Sequence, residues 1–224
     1  MVGPLQSGLE RLTHCSPIGL VPKGRGTDQW RMIVDLSYPS GASVNDGIAP
    51  SLCSLRYVSL DDAVHLINRL GPGTLLVKID LKSAYRFVPI HPLDRHLLGI
   101  RWQEQVFVDQ ALPFGLRSAP KLFTAVADAI GWALFQTGIH LQIHYLDDYL
   151  FFIHPSSCEA YSLLPSVLNT LDHLGVPVAT QKIEGPATSV TFLGVIVDTV
   201  RAELRLPNHK LDYIRSLILR WRRR

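Results

Sequence analysis

The stretch IHYLDDYLFF, Ile143 to Phe152, places two adjacent aspartates, Asp147 and Asp148, between aromatic and aliphatic residues. A buried unpaired carboxylate is costly and two neighbouring ones repel each other, so the pair calls for a metal ion, a basic partner or solvent. A third acid, Asp80, closes the apolar run TLLVKID that begins at Thr74. Successive strand side chains point to opposite faces, so Asp147 and Asp148 can serve one site only from a turn. With that turn beside the strand of Asp80, three carboxylates converge at one edge of a sheet. Oxygen-only ligand sets suit hard cations, and Mg²⁺ takes one or two carboxylates plus water and substrate phosphates. Two such ions, about 3.5–4 Å apart, can activate an attacking hydroxyl and stabilise a leaving oxygen in phosphoryl transfer. Asp61 and Asp62 have a plainer reading, as acids that complement a helix dipole.

The elements that must position these acids follow from apolar periodicity between Pro and Gly breaks. WRMIVDLS (Trp30 to Ser37), TLLVKIDL (Thr74 to Leu81) and EQVFVDQAL (Glu104 to Leu112) have strand patterns, and SAYRFVPI extends the second until Pro89 and Pro92. SLDDAVHLINRLG spaces Leu60, Val64, Ile67 and Leu70 as a helix, with Ser59 and Asp62 at capping-box spacing and Gly71 as its stop. A longer helix carries Leu122, Val126, Ile130 and Ala133 on one face and stops near Gly138. Residues 139–154 form two strands about a tight turn at Leu146 to Asp148. A helix from Ser156, capped at Glu159, runs to Gly175 with Pro165 as a kink or split. Strands at SVTFLGVIVD and AELRLP precede a helical start at Asn208. The order predicts an α+β fold with a mostly antiparallel sheet and helices packed on one face.

An apolar fraction of 47% supports a core, while a net charge of only +3 gives no general electrostatic case for nucleic acid. Basic residues do cluster, at Lys23 to Arg31 and at Arg220 to Arg224, as solvated surface or as a phosphate footprint. Three widely spaced cysteines, Cys15, Cys53 and Cys158, argue against a disulfide framework or partner and against a zinc site. They are expected to be reduced thiols in an intracellular chain, of cytoplasm or nucleus. No apolar run approaches the roughly 18 residues of a membrane span, so a soluble chain with no membrane partner is expected.

YLDDYLF resembles the Tyr-x-Asp-Asp box of reverse transcriptases, the RNA-directed DNA polymerases, and further segments resemble that family's other motifs in the same order. WRMIVDLS is similar to the fingers strand with its nucleotide-binding arginine, and KIDLKSAYRFVPIH to the first catalytic-aspartate motif. LPFGLRSAP resembles the template-and-nucleotide motif, and LGVPVATQK and TFLGVIVD the two that follow. Within retrotransposons, KSAYRFVPIHPLDRHLLGIRW most resembles the DIRS group, which pairs the polymerase with a tyrosine recombinase.

The resemblance implies a polymerase palm with fingers. Residues 1–70 would be a fingers portion with a partial N-terminus and 71–203 the palm, with a fingers-like insertion around 91–112. Residues 204–224 would start a truncated thumb or connection, without a ribonuclease H or recombinase domain. It also implies two-Mg²⁺ transfer of deoxynucleoside triphosphates (dNTPs) onto a primer 3′-hydroxyl over an RNA or DNA template, with Mn²⁺ as an alternative ion. Asp80, the main-chain carbonyl of Leu81, Asp147 and Asp148 would hold the metals. Arg31, with Lys23 or Arg25, would grip the triphosphate, where a guanidinium forks onto oxygens and a lysine acts as a point charge. Tyr85 would sit under the sugar and clash with a ribose 2′-hydroxyl, or else only pack the core. Phe114 stands where retroviral enzymes carry glutamine. Gly115 would permit close backbone approach to nucleotide or template, or else only form a turn. Lys182 would be general acid for pyrophosphate, or else a surface lysine. Phe192, Leu193 and Gly194 would form the primer grip, or else a buried strand turn.

Two other readings compete. A non-catalytic retroelement remnant could bind nucleic acid or a protein partner through the palm surface. A palm-type nucleotide cyclase or a metal-dependent phosphohydrolase would explain the carboxylates but not Tyr85 together with LPFGLRSAP.

Overall fold

The computed structural model describes Gly3, residues 14–22 and residues 28–222. The chain forms two compact units, each assembled from two separated stretches: Met1–Arg56 with Ser83–Ala125, and Tyr57–Lys82 with Val126–Arg224.

The first unit is built on two antiparallel hairpins. Strand β1 (Ile18–Pro22) pairs with β2 (Trp30–Val34). Further along the chain, β4 (Gly99–Trp102) pairs with β5 (Gln105–Val108). The segment before β1 runs along β4, where Ser16 N–H donates to the Gly99 carbonyl at 2.9 Å. Gln103 and Glu104 join β4 to β5 with φ of 48° and 60°. Positive φ at both central residues suits the right-handed twist of a two-residue hairpin, although neither residue is the usual Gly or Asn.

SAYRFVPI does not continue the strand before it. Ser83 adopts a left-handed φ of 56° and Ala84–Phe87 is a 3-10 turn. Arg86 fixes that turn: its guanidinium donates to both oxygens of Asp109 at 2.6 and 2.7 Å, and to the Ala111 carbonyl at 3.2 Å. A forked pair on an almost fully buried carboxylate outweighs the apolar alternation that suggested a strand.

The second unit holds a four-stranded antiparallel sheet in the order β6-β7-β3-β8, comprising β3 (Leu75–Asp80), β6 (Gln142–Tyr145), β7 (Asp148–Ile153) and β8 (Glu184–Ala187). Strand alternation divides it into two faces. Leu76, Leu150 and Phe152 look into a core shared with Ala63 of helix α1 (Leu60–Leu70) and with Val190, Phe192 and Val197. These last three belong to a second sheet of β9 (Ser189–Phe192), β10 (Val195–Asp198) and β11 (Glu203–Arg205). On the opposite face the Tyr149 hydroxyl donates to the Ala127 carbonyl of helix α2 (Ala119–Gln136) at 2.8 Å.

Helix α1 begins with the expected capping box, Ser59 and Asp62 bonding each other's backbone N–H groups, and ends at Gly71. The helix expected from Ser156 is divided further upstream than Pro165. A 3-10 turn at Cys158–Tyr161 precedes α3 (Leu163–His173). Pro165 is the third residue of α3, in the first turn, where a backbone N–H has no intrahelical acceptor and its loss breaks nothing. The expected cap at Glu159 concerns a side chain outside those described. Helix α4 (Asn208–Trp221) starts where the sequence places it.

Candidate active site

In the second unit, antiparallel pairing of β3 with β7 sets Asp80 opposite Asp148. Tyr145 also pairs with Asp148, which leaves Leu146 and Asp147 as a two-residue loop with Leu146 at φ 52°. Asp148 thus opens the strand and Asp147 stands in the turn before it, so the alternation that would separate them does not apply. Two backbone bonds tie the turn and the following chain to the end of β3. Leu81 N–H donates to the Asp147 carbonyl at 2.9 Å, and Ala179 N–H donates to the Asp80 carbonyl at 2.8 Å. A strand residue's N–H and C=O share one side, so the Leu81 carbonyl is directed toward the Asp147 turn. Tyr145, stacked on Tyr57 with ring centres 5.0 Å apart, anchors the hairpin's first strand.

Two lysines complete the cluster. The 3-10 turn Thr180–Lys182 returns Lys182 to β3, where its Nζ lies 2.8 and 2.9 Å from the two oxygens of Asp80. Lys78 precedes Asp80 by two residues on the same face of β3. Its Nζ lies 3.8 Å from Asp148 Oδ1 and 3.4 Å from Glu184 Oε1. Glu184 Oε2 in turn accepts the Thr191 N–H at 2.9 Å, so the network reaches β9.

Burial pushes the Asp147 carboxyl above its ordinary value, and repulsion from Asp80 adds to this against the pull of Lys182 and Lys78. Burial also raises Asp148; Lys78 opposes the rise, while Asp147 and Asp80 reinforce it. Asp148 Oδ1 is buried and accepts no hydrogen bond from the described residues. Among the described residues no three His, Cys, Asp or Glu side chains are grouped to hold a metal ion as they stand. An ion of the Mg²⁺ type needs only one or two carboxylates, and a buried acceptor without a donor, beside a second carboxylate raised by burial and by repulsion from Asp80, fits such a cation.

The remaining expected residues divide between the units. In the first, Tyr85 is buried, its ring centre 4.9 Å from that of Phe114 and 5.2 Å from that of Phe123, while Phe114 is half-exposed. Gly115 has φ 92°, and a Cβ there would stand 3.2 Å from the Val34 carbonyl, so both backbone conformation and space call for glycine. Asn45, which the sequence reading passed over, holds this turn: its Nδ2 donates to the Gly115 carbonyl at 2.9 Å and its Oδ1 accepts the Arg117 N–H at 2.7 Å. Arg31 lies on β2 opposite Val21 and is exposed. Lys23 and Arg25 lie outside the described residues.

In the second unit, Leu193 and Gly194 form the β9–β10 turn with φ of 49° and 74°, and the Gly194 carbonyl accepts from Lys210 Nζ at 2.8 Å. Phe192 is fully buried in the core, so only the turn itself is placed to meet a ligand. Lys78 and Glu184 were also missed. A lone cation inside the apolar run LLVKID, in alternation with Asp80, was the available signal for Lys78.

Residues 21–197 match the family model for reverse transcriptase (RNA-dependent DNA polymerase). The transposon Tf2-3 polyprotein of Schizosaccharomyces pombe (strain 972 / ATCC 24843) is 28% identical over 194 residues, covering 85% of this chain and 13% of the polyprotein. The foamy viral protease-reverse transcriptase in complex with double-stranded DNA superposes over 90% of this chain and 32% of that one, at 25% identity and a TM-score of 0.71. The same viral protein with an RNA/DNA hybrid gives 24% identity and a TM-score of 0.69, over 90% of this chain and 24% of that one. This chain therefore spans about an eighth of the polyprotein and about a quarter to a third of these two viral chains. From the family match and a fold shared with the viral enzymes, the chain belongs to the reverse transcriptase (RNA-dependent DNA polymerase) family.

Proposed function

We propose that the chain is the polymerising part of a retrotransposon reverse transcriptase, joining dNTPs to a primer 3′-hydroxyl over an RNA or DNA template. One observation carries this reading: Asp80 stands opposite Asp148, with Asp147 in the adjoining turn bonded through its carbonyl to Leu81. Enzymes of the family normally use divalent metal ions. Two Mg²⁺ ions, or Mn²⁺, would be held by Asp80, Asp147, Asp148 and the Leu81 carbonyl. Bound there, they supply Lewis-acid stabilisation of the attacking and leaving oxygens.

The chain's own groups do the rest. Lys182 Nζ, on leaving Asp80, is the general acid that protonates departing pyrophosphate. The Tyr85 ring, braced by Phe114 and Phe123, excludes a ribose 2′-hydroxyl. Gly115 admits the nucleotide's approach, and Arg31 with Lys23 or Arg25 binds its triphosphate. The turn Leu193–Gly194, with Phe192 as its buried root, contacts the primer. Residues 1–70 would then serve as fingers, residues 71–203 as palm with a fingers-like insertion around 91–112, and residues 204–224 as the start of the thumb. Placement in the DIRS group rests on the segment Lys82 to Trp102 alone. That the foamy viral protein has been solved with DNA and with an RNA/DNA hybrid supports nucleic acid as the partner.

A second reading, a non-catalytic remnant that binds nucleic acid or a protein partner, is favoured by the hold of Lys182 on both oxygens of Asp80. Primer extension on poly-rA with oligo-dT and Mg²⁺ separates the two. Deoxynucleotide incorporation that Asp147→Asn abolishes supports polymerisation; no incorporation by soluble, folded protein supports the remnant.

A further inference from the structure

The three carboxylates carry two lysines, and these differ in one respect. Lys182 is 56% exposed while bonded to both oxygens of Asp80, so its ammonium can swing into water. Lys78 is only 14% exposed and is flanked by acids on two sides, Asp148 Oδ1 at 3.8 Å and Glu184 Oε1 at 3.4 Å. A buried ammonium cannot lose its partner without a large desolvation penalty. Glu184 is held in place by the Thr191 N–H on its other oxygen, 2.9 Å away, so it stays available as the second partner.

We propose that Lys182 and Lys78 are displaceable counter-cations of the metal site: a divalent ion takes the place of Lys182 on Asp80, while Lys78 moves from Asp148 to Glu184. This rests on the polymerase reading of the carboxylates and adds to it a role for three residues, with Glu184 as a positioning residue. The lysines neutralise like charges that would otherwise repel one another next to an apolar core. Because the lysines compete with the ion, removing one should strengthen metal binding, whereas removing the alternative partner of Lys78 should weaken it.

Calorimetric titration of the full chain with Mn²⁺, at fixed ionic strength and without nucleotide or nucleic acid, tests this directly. Lys182→Met should bind Mn²⁺ about two- to fivefold more tightly than the unchanged chain, the scale of one displaced, partly screened ion pair. Lys182→Arg, whose fork grips a carboxylate at least as well, should bind no more tightly than the unchanged chain. Glu184→Gln keeps an acceptor for Thr191 but leaves Lys78 no anion besides Asp148, and should weaken binding about two- to fivefold. Should Lys182→Met fail to fold, Lys78→Met with Glu184→Gln decides, the first tightening and the second weakening. Equal or weaker affinity in the lysine-to-methionine variants, or no Mn²⁺ bound by any form, overturns the proposal. An active polymerase with those equal affinities rejects the counter-cation role alone. An inactive chain whose Lys182→Met variant gains affinity rejects the polymerase reading and leaves this one standing.

Discussion

Asp80 and Asp148 face each other across β3 and β7, and the next residue along, Leu81, bonds the Asp147 carbonyl at 2.9 Å. Register alone therefore fixes the convergence of acids that are far apart in the chain. A slip of one residue would turn Asp148 to the face that buries Tyr149 and Phe151, so the apolar alternation of β7 protects the site's geometry.

That arrangement has a stability cost. Burial and repulsion raise the Asp147 and Asp148 carboxyls above their ordinary value near 3.8, so the folded chain holds their protons more tightly than the unfolded one. Their contribution to stability is full below pH 3.8 and is lost as pH rises through the folded values. Asp148→Asn should stabilise the metal-free chain at pH 7 by about 0.5–2 kcal/mol, with the gain shrinking toward pH 4. Urea unfolding at the two pH values measures it.

Tyr85 supports both structure and selection. Tyr85→Ala should cost about 3–5 kcal/mol by leaving a cavity beside Phe123. In the surviving folded enzyme it should raise ribonucleotide incorporation relative to deoxynucleotide. Unchanged sugar discrimination in an active variant would leave Tyr85 as core packing only.

The pair Arg86–Asp109 fixes the 3-10 turn that presents Tyr85. Asp109→Ala should destabilise by about 2–4 kcal/mol, below the full cost of breaking a buried pair because Arg86 keeps some access to water. Chemical denaturation of the variant measures the loss.

Nucleic-acid binding should rest on phosphates, since a polymerase must accept every sequence. The logarithm of affinity for a primer–template should fall linearly with the logarithm of salt, by about 0.7–0.9 per phosphate neutralised. Fluorescence anisotropy across a salt series gives the slope, and a flat response would exclude this mode.

Much of this site was legible because its signals are local. Charge inside an apolar run marked Asp80, Asp147 and Asp148, and the spacing of Ser59 and Asp62 marked the cap of α1. What escaped depends on partners distant in sequence. SAYRFVPI alternates like a strand, yet Arg86 finds Asp109 and the chain turns. The segment EGPA, weak in strand propensity, becomes β8 because β3 offers it an edge. Asn45 carries no local sign that it will brace Gly115 from 70 residues away. Lys182 was placed as a surface lysine or an acid for pyrophosphate, and only the chain path through Ala179 shows that it rests on Asp80.

The central claim is that Asp80, Asp147 and Asp148 together support nucleotidyl transfer. Single-nucleotide incorporation by the unchanged chain, Asp80→Asn and Asp148→Asn, on one primed RNA template with Mg²⁺, tests it most directly. The account predicts incorporation by the unchanged chain and a loss of at least about a hundredfold in each variant, with folding intact. Incorporation by either variant at the unchanged rate would contradict it.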